Sequence, residues 1–324
     1  MYYIERGLGP KWKPLAMFVA FALMITAFLT GNAIQANTVA DLMNTELGIP
    51  FWMTGLFTAV VVGGVILGGI KRIGKVTGIL APAMAGIYVL GGLIILIINY
   101  AGILPSFGLI FSEAFNPTAG ITGTGIGIFI HTLQLGVQRG LFSNEAGQGS
   151  APIAHSAAKT KEPVSEGVVA LLEPFIDTII ICTITALVIL RATLETLYGP
   201  AIENGAPLTA LGFSKNLGQV GNIIVVLCVF LFGISTAISW SYYGDRCANY
   251  LFGKKALLPY KAIFIVMHFV GAVTSLEFIW GLGDTALSMV TIPNVFSLIL
   301  LSGVVKKVTD DYFNDKPYLK HLKK

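Results

Sequence analysis

The sequence predicts an all-α polytopic membrane protein of about eight transmembrane helices, and three observations predict it. First, 55% of its 324 residues are hydrophobic and only 12% charged, with a mean hydropathy of +0.77. An ordinary soluble domain carries about 25% charged residues, so this chain lacks the polar surface of one, which excludes a soluble enzyme and a nucleic-acid binder. Second, uncharged apolar runs recur near the roughly 20 residues that carry a helix across hydrocarbon. Third, the basic residues alternate between connections. With the N-terminus cytoplasmic, 18 of the 21 Lys and Arg lie in cytoplasmic segments, and only Arg191 and Lys215 in external loops. That bias predicts eight spans with both termini in the cytoplasm.

The spans follow in order. Lys13 and Asp41 bracket the first, Leu15–Gln35, which is too long for a signal-peptide core and lacks a small-residue cleavage site. Glu46 and Lys71 bracket the second, Ile49–Ile70, and the third is Ile79–Tyr100. Ile103–Phe115 reads as an interfacial helix, because Pro105, Ser112 and Glu113 interrupt it. The fourth span, Ile121–Gly140, is glycine-rich and runs straight into a polar segment; the fifth, Gly167–Leu190, carries Asp177, with Glu173 near its start. Val220–Tyr243, the short Ala262–Leu276 and Thr285–Val305 complete the set. The Lys-rich stretch 306–324 reads as a cytoplasmic tail facing anionic lipid. Cys182, Cys228 and Cys247 show no CxxC spacing, so neither a disulfide framework nor a zinc site is indicated.

The chemistry concentrates in Gly136–Thr160, GVQRGLFSNEAGQGSAPIAHSAAKT. Glycines and polar residues at the end of an apolar span leave backbone groups unpaired, at several kcal/mol each in lipid. Such a break is tolerated only inside protein or beside a watery cavity, where free N–H groups face anions and free carbonyls face cations. The plain alternative is a helix end followed by a cytoplasmic loop.

SNEAGQGSAPIAHSAAKTKEP (Ser143–Pro163) resembles the signature of the alanine or glycine:cation symporter family, the sodium-coupled amino acid carriers. GNAIQANTVAD (Gly31–Asp41), GGIKRIGKVT (Gly68–Thr77), EPFIDT (Glu173–Thr178), SWSYYGDRC (Ser239–Cys247) and IPN (Ile292–Asn294) agree with it in order along the chain. Two small departures are Gln148, where the family more often has an apolar residue, and Ser156, where it often has alanine. The resemblance implies a leucine-transporter-type fold of two inverted five-helix repeats. The present spans would be its helices 3–10, with 1–100 the remainder of the first repeat and 121–305 the second, in one transmembrane domain. On that alignment the segment bearing helices 1 and 2 would precede Met1, so an N-terminally truncated carrier is expected.

The implied activity is sodium-coupled symport of small neutral amino acids across the plasma membrane, with sodium co-transported and no enzymatic step. Gln35 and Asn37 offer side-chain amides to an amino acid's charged groups, with helix–helix hydrogen bonding as the alternative. Gly140, Phe142, Ser143, Asn144 and Trp240 complete the expected substrate site. Ser235 and Thr236 fall where helix 8 supplies hydroxyls to sodium, and Phe232 is placed with them; back-bonding to the helix is the competing role. Trp240 shares a helix face with Thr236, where an indole would leave room for little more than a methyl side chain. Asp177 is a gating partner for Arg139 or a cation-site contributor, and Glu173 a partner for a base at the membrane edge. His131 and His268 read as satisfied structural histidines, and His155 as part of the signature loop.

Two other classes compete. An ion channel would line its pore with Asp177 and the polar break. Gly281-Leu282-Gly283-Asp284 fits the GxGD pattern of intramembrane aspartyl proteases, with Asp177 as the second acid. That pattern is short, glycine is abundant, and the topology separates the two aspartates.

Overall fold

The computed structural model describes residues 1–114, 125–193 and 205–315, and all regular structure among them is helical. Helix α1 (Tyr2–Leu8) is short and seals Ile4 completely. Next, α2 (Lys13–Phe28), a π-helical turn (Leu29–Ala33) and α3 (Ile34–Leu47) form one continuous helix. It passes the expected end at Gln35 because the polar residues beyond find partners. The Asn37 amide donates to the carbonyls of Gly271 and Thr274, at 3.1 and 2.6 Å. Gly48, with a left-handed φ of 66°, stops it.

The second expected span is α4 (Phe51–Ile66), 16 residues long. The third is α5 (Gly69–Ile98), which begins earlier than expected because the helix runs through Lys71, Arg72 and Lys75. The interfacial helix is α6 (Ile103–Ala114); Phe115 lies outside the described residues. The fourth span is α7 (Gly125–Ser143), with 121–124 outside the described residues, followed by the short α8 (Ala151–His155). Helix α9 (Pro163–Ala170) leads through a second π-helical stretch (Phe175–Cys182) into α10 (Thr183–Thr193).

Helix α11 (Ala206–Leu217) was not expected, since a search for runs of about 20 apolar residues passes over a 12-residue helix. Its signals are nonetheless present: Pro207 in the first turn, Gly205 before it and Gly218 after it, both at positive φ. Its Phe213 is fully enclosed in a cluster with Tyr88, Ile95, Ile184 and Val225. The last three helices are α12 (Gln219–Phe252), α13 (Leu257–Val273) and α14 (Leu276–Asp315). Helix α14 carries residues 306–315 of the expected tail; the remainder lies outside the described residues.

Against about eight expected spans, six of the described helical runs are long and apolar enough to cross a membrane: Pro10–Leu47, Gly69–Ile98, Pro163–Arg191, Gln219–Phe252, Lys254–Val273 and Leu276–Asn314. The other two expected spans are α4, which is short, and α7, which is rich in glycine and polar residues.

Helix α12 is the axis of the packing. Its Trp240 and Cys247 pack with α2, its Val225 and Cys228 with α5, α10 and α11, and its Ile234 and Ile238 with α4 and α13. Small residues set how closely the helices approach. A Cβ on Gly271 of α13 would lie 2.4 Å from the Cα of Ala33, so α13 rests on the π-helical turn backbone to backbone. Beside that contact His268, 1% exposed, places Nδ1 2.7 Å from Asn32 Oδ1, while Asn32 donates to the Phe264 carbonyl. His268 was expected to be a satisfied structural histidine; Nδ1 is bonded, but Nε2 is buried without a hydrogen-bond partner among the described residues.

Candidate substrate and ion site

Four helices converge on the π-helical turn 29–33. A π turn widens the helix and upsets its regular hydrogen-bond ladder, a geometry frequent at functional sites. From α12, Trp240 lies directly over Gly31: a Cβ there would come within 2.2 Å of the indole Cγ. One seam further along, Gly233 of α12 meets α3, where a Cβ would stand 3.4 Å from the Gln35 carbonyl oxygen. Phe142 of α7 joins Leu29, Ala33, Ile34 and Trp280 in one apolar cluster. From α14, the Gly283 carbonyl accepts a bond from Thr30 at 3.1 Å.

This arrangement sets the Gln35 backbone against Gly233 and Trp240 over Gly31, while Phe232 faces Tyr88 and Ser235 faces Met84, both of α5. Gln35 Nε2 donates to the Thr30 carbonyl at 3.3 Å. Ser235 is 5% exposed and its hydroxyl donates to the Phe232 carbonyl at 3.0 Å, with Met84 Sδ 3.6 Å away. Here, then, Ser235 makes the back-bond to its own helix. Thr236, half-buried, is the next residue, about 100° around the helix. Asn37 is committed differently: its Nδ2 holds the end of α13, and it borders a cleft of about 320 Å³ with Asp41, Phe51 and Thr274.

The second half of the site is the break between α7 and α8. Glu145, Gly147 and Gly149 all have positive φ, at 52°, 74° and 81°, so the chain turns sharply three times in five residues. Glu145 alone among them bears the cost of a side chain there. The exposed backbone groups are answered from within the protein. Asn144 Oδ1 accepts from the Ala146 N–H at 3.0 Å, and the Asn144 N–H donates to the Gly140 carbonyl at 3.3 Å. Gln148, 1% exposed, donates to the Leu141 carbonyl at 2.9 Å, and Asn294 of α14 donates to the Gly147 carbonyl at 2.7 Å. The Ser150 hydroxyl donates to Glu145 at 2.5 Å, and Trp240 shares a buried cluster with Ile153 of α8, just beyond the break. Trp240 thus links the break to the α12 seam. A solvated loop would not need the buried braces from Gln148 and Asn294.

The acidic residues resolve in particular ways. Arg139 forms a two-pronged ion pair with Asp284, at 3.0 and 2.6 Å, and stacks over the Trp280 ring at 4.4 Å. Its partner is therefore Asp284 and not Asp177. Asp177 instead accepts from the Ser143 hydroxyl at 2.5 Å and from Thr178 at 3.2 Å, within the second π-helical stretch. Glu173 faces His155, whose Nε2 is 3.7 Å away and whose Nδ1 lies 2.7 Å from Glu166. With Asp284 bound to a guanidinium and Asp177 to hydroxyls, the two aspartates do not form the dyad a protease requires. The His131 side chain lies outside the described residues.

The sequence pointed to the break, but assigned no role to Asn294 or Gly31 and weighed Asp284 only as a protease carboxylate. Each stood inside a quoted motif; what was missing was the partner, which lies far away in the chain.

The pattern of the sodium:alanine symporter family matches residues 1–323. The chain is similar to the sodium/alanine symporter AgcS of Methanococcus maripaludis, at 45% identity over 311 residues, 95% of this chain and 68% of that protein. It is 33% identical to the amino-acid carrier protein AlsT of Bacillus subtilis over 315 residues, 96% of this chain and 65% of that one. It is 30% identical to a sodium/proton-dependent alanine carrier of Bacillus sp. strain PS3 over 324 residues, covering 94% and 70%.

Proposed function

The chain belongs to the sodium:alanine symporter family, and from that premise we propose that it carries a small neutral amino acid, alanine or glycine, together with sodium across the plasma membrane. The family is one of transporters, not enzymes, and no bond is made or broken. Each inward sodium charge contributes about 2.3 kcal/mol per 100 mV, before its concentration gradient adds more. The carrier exposes one site alternately to the two faces. In this reading both termini are cytoplasmic, and 1–100 and 121–305 belong to the two repeats.

The observation that carries the reading is the packing of Trp240 over Gly31 on one side and with Ile153, beside the break, on the other. In this reading the buried indole, between a widened helix and an irregular segment, forms one wall of the substrate pocket. Gln35, Ser143 and Asn144, which here bond the Thr30 carbonyl, Asp177 and the Ala146 N–H, would turn their amide and hydroxyl groups to the substrate, while Gly140 and Phe142 shape the break. Asn37 supports the same region from the α13 side. Phe232, Ser235 and Thr236 offer sodium its hard oxygens once the Ser235 hydroxyl turns from its own helix. The channel reading lacks a comparable observation: Arg139 and Asp284 neutralise one another, and Asp177 is held by hydroxyls.

The test is sodium dependence in the carrier with Thr236→Ala. Losing an oxygen that holds an ion raises the sodium concentration for half-maximal alanine uptake about tenfold. An unchanged sodium dependence removes Thr236 from the ion path.

A further inference from the structure

The Ile292–Asn294 motif takes no part in that pocket, yet its asparagine is 1% exposed. It follows Pro293, which cannot donate to the ladder of α14 and loosens the helix at this point. Both ends of the Asn294 amide are used. Nδ2 donates to the Gly147 carbonyl at 2.7 Å, and Oδ1 accepts from the Tyr3 hydroxyl of α1. The orientation is forced, because the flipped amide would set two acceptor oxygens against each other. Burial pushes the Tyr3 phenol up to about 12, so it remains a neutral donor at physiological pH.

The break is shaped to this contact. A Cβ on Gly149 would stand 3.0 Å from Asn294 Oδ1, and one on Gly147 2.8 Å from Val295 Cγ2. Only glycine leaves the backbone this close to α14 while holding a left-handed φ. Tyr3, Gly147 and Asn294 also border a cavity of about 330 Å³, whose other walls include Glu145, Glu173 and Ala170.

We infer that Asn294 is a positioning residue for transport: it holds the break against α14, and the Tyr3–Asn294–Gly147 chain is a latch that parts when the cavity opens on the α1 side. The inference rests on the alternating-access reading above. It assigns the motif a mechanical role and makes α1 a working part of the carrier. Neither Tyr3 nor Asn294 touches the substrate in this scheme; both act through the Gly147 peptide.

The experiment reads opening as cysteine labelling. Ala170→Cys places a thiol on the cavity wall, in a carrier that also has Cys182→Ser; Cys228 and Cys247 are buried. A bulky maleimide is applied to permeabilised membranes, and alanine uptake is measured in parallel. One net hydrogen bond is worth about fivefold in a two-state population, and two about 30-fold. Labelling should therefore rise about fivefold with Tyr3→Phe and further with Asn294→Ala. The half-saturating alanine concentration should stay within about twofold while the maximal rate falls, which a general loss of packing would not produce. Labelling at the parent rate in both variants, with uptake intact, overturns the inference. If Asn294→Ala fails to assemble, Tyr3→Phe decides alone. If the parent carrier shows no sodium-dependent alanine uptake, the symport reading fails, and the labelling ratio of Tyr3→Phe to parent still decides the latch.

Discussion

Gly31→Ala adds one methyl at the point where α12 crosses the π-helical turn. That methyl would sit 2.2 Å from Trp240 Cγ, and 2.4 Å from both its Cβ and its Cδ2. Unbonded carbons settle at about 3.5–4.0 Å, so a gap of well over an ångström must open. A rotamer change cannot supply it, because the Trp240 Cβ is itself overlapped and is fixed to the α12 backbone. The two helices have to part. Overpacking in a tight core costs about 1–3 kcal/mol, and a clash against a backbone-fixed atom belongs at the upper end. Purified Gly31→Ala carrier should lose several degrees of melting midpoint. Its alanine affinity should fall about tenfold or more, as roughly 1.4 kcal/mol of lost contact with the displaced indole implies. Adding Trp240→Ala removes the ring's share of the clash but keeps the Cβ, so it restores part of the stability and none of the substrate selectivity. A Gly31→Ala carrier with the parent's melting midpoint and affinity would show that Trp240 does not lie over Gly31.

Other changes have equally definite outcomes. Trp240→Leu should weaken alanine affinity and admit valine in competition uptake; a variant that keeps parental affinity and still rejects valine and leucine leaves the indole without a role in the wall. Asp284→Asn strands Arg139, and because the pair is 38% and 19% exposed the cost should fall between surface and buried cases, about 1–3 kcal/mol. A double-mutant cycle with Arg139→Lys on the melting midpoint should show coupling, and zero coupling refutes the pairing. Asn37→Ala removes two bonds to the end of α13 and should destabilise by about 1–3 kcal/mol, with little change in alanine affinity; a large affinity loss at unchanged stability would return Asn37 to the pocket.

Much of this architecture was legible because a bilayer imposes length on apolar helices. The uncharged runs placed α2, α5, α12 and α14 within a few residues of their cores. Their ends were less legible, since Asn37 keeps α3 helical only by bonding to α13, a partner hydropathy does not register. Helix α11 escaped because its 12 residues fall short of a span, although its glycines and Pro207 mark both ends. The break announced itself through Gly147, Gly149 and the polar residues around them. What holds it did not: Asn294 lies 147 residues from Gly147, and no local pattern encodes that distance. The same limit governed Arg139, for which Asp177 and Asp284 were both available acids on apolar helices. Only the packing of α7 against α14 selects Asp284.

The central claim is coupling, and uptake of labelled alanine into proteoliposomes tests it most directly. With an inward sodium gradient imposed, the carrier should accumulate alanine above its outside concentration, and collapsing the gradient with a sodium ionophore should release it. Accumulation that persists unchanged when choline replaces sodium, or sodium current that flows equally without alanine, would contradict the account.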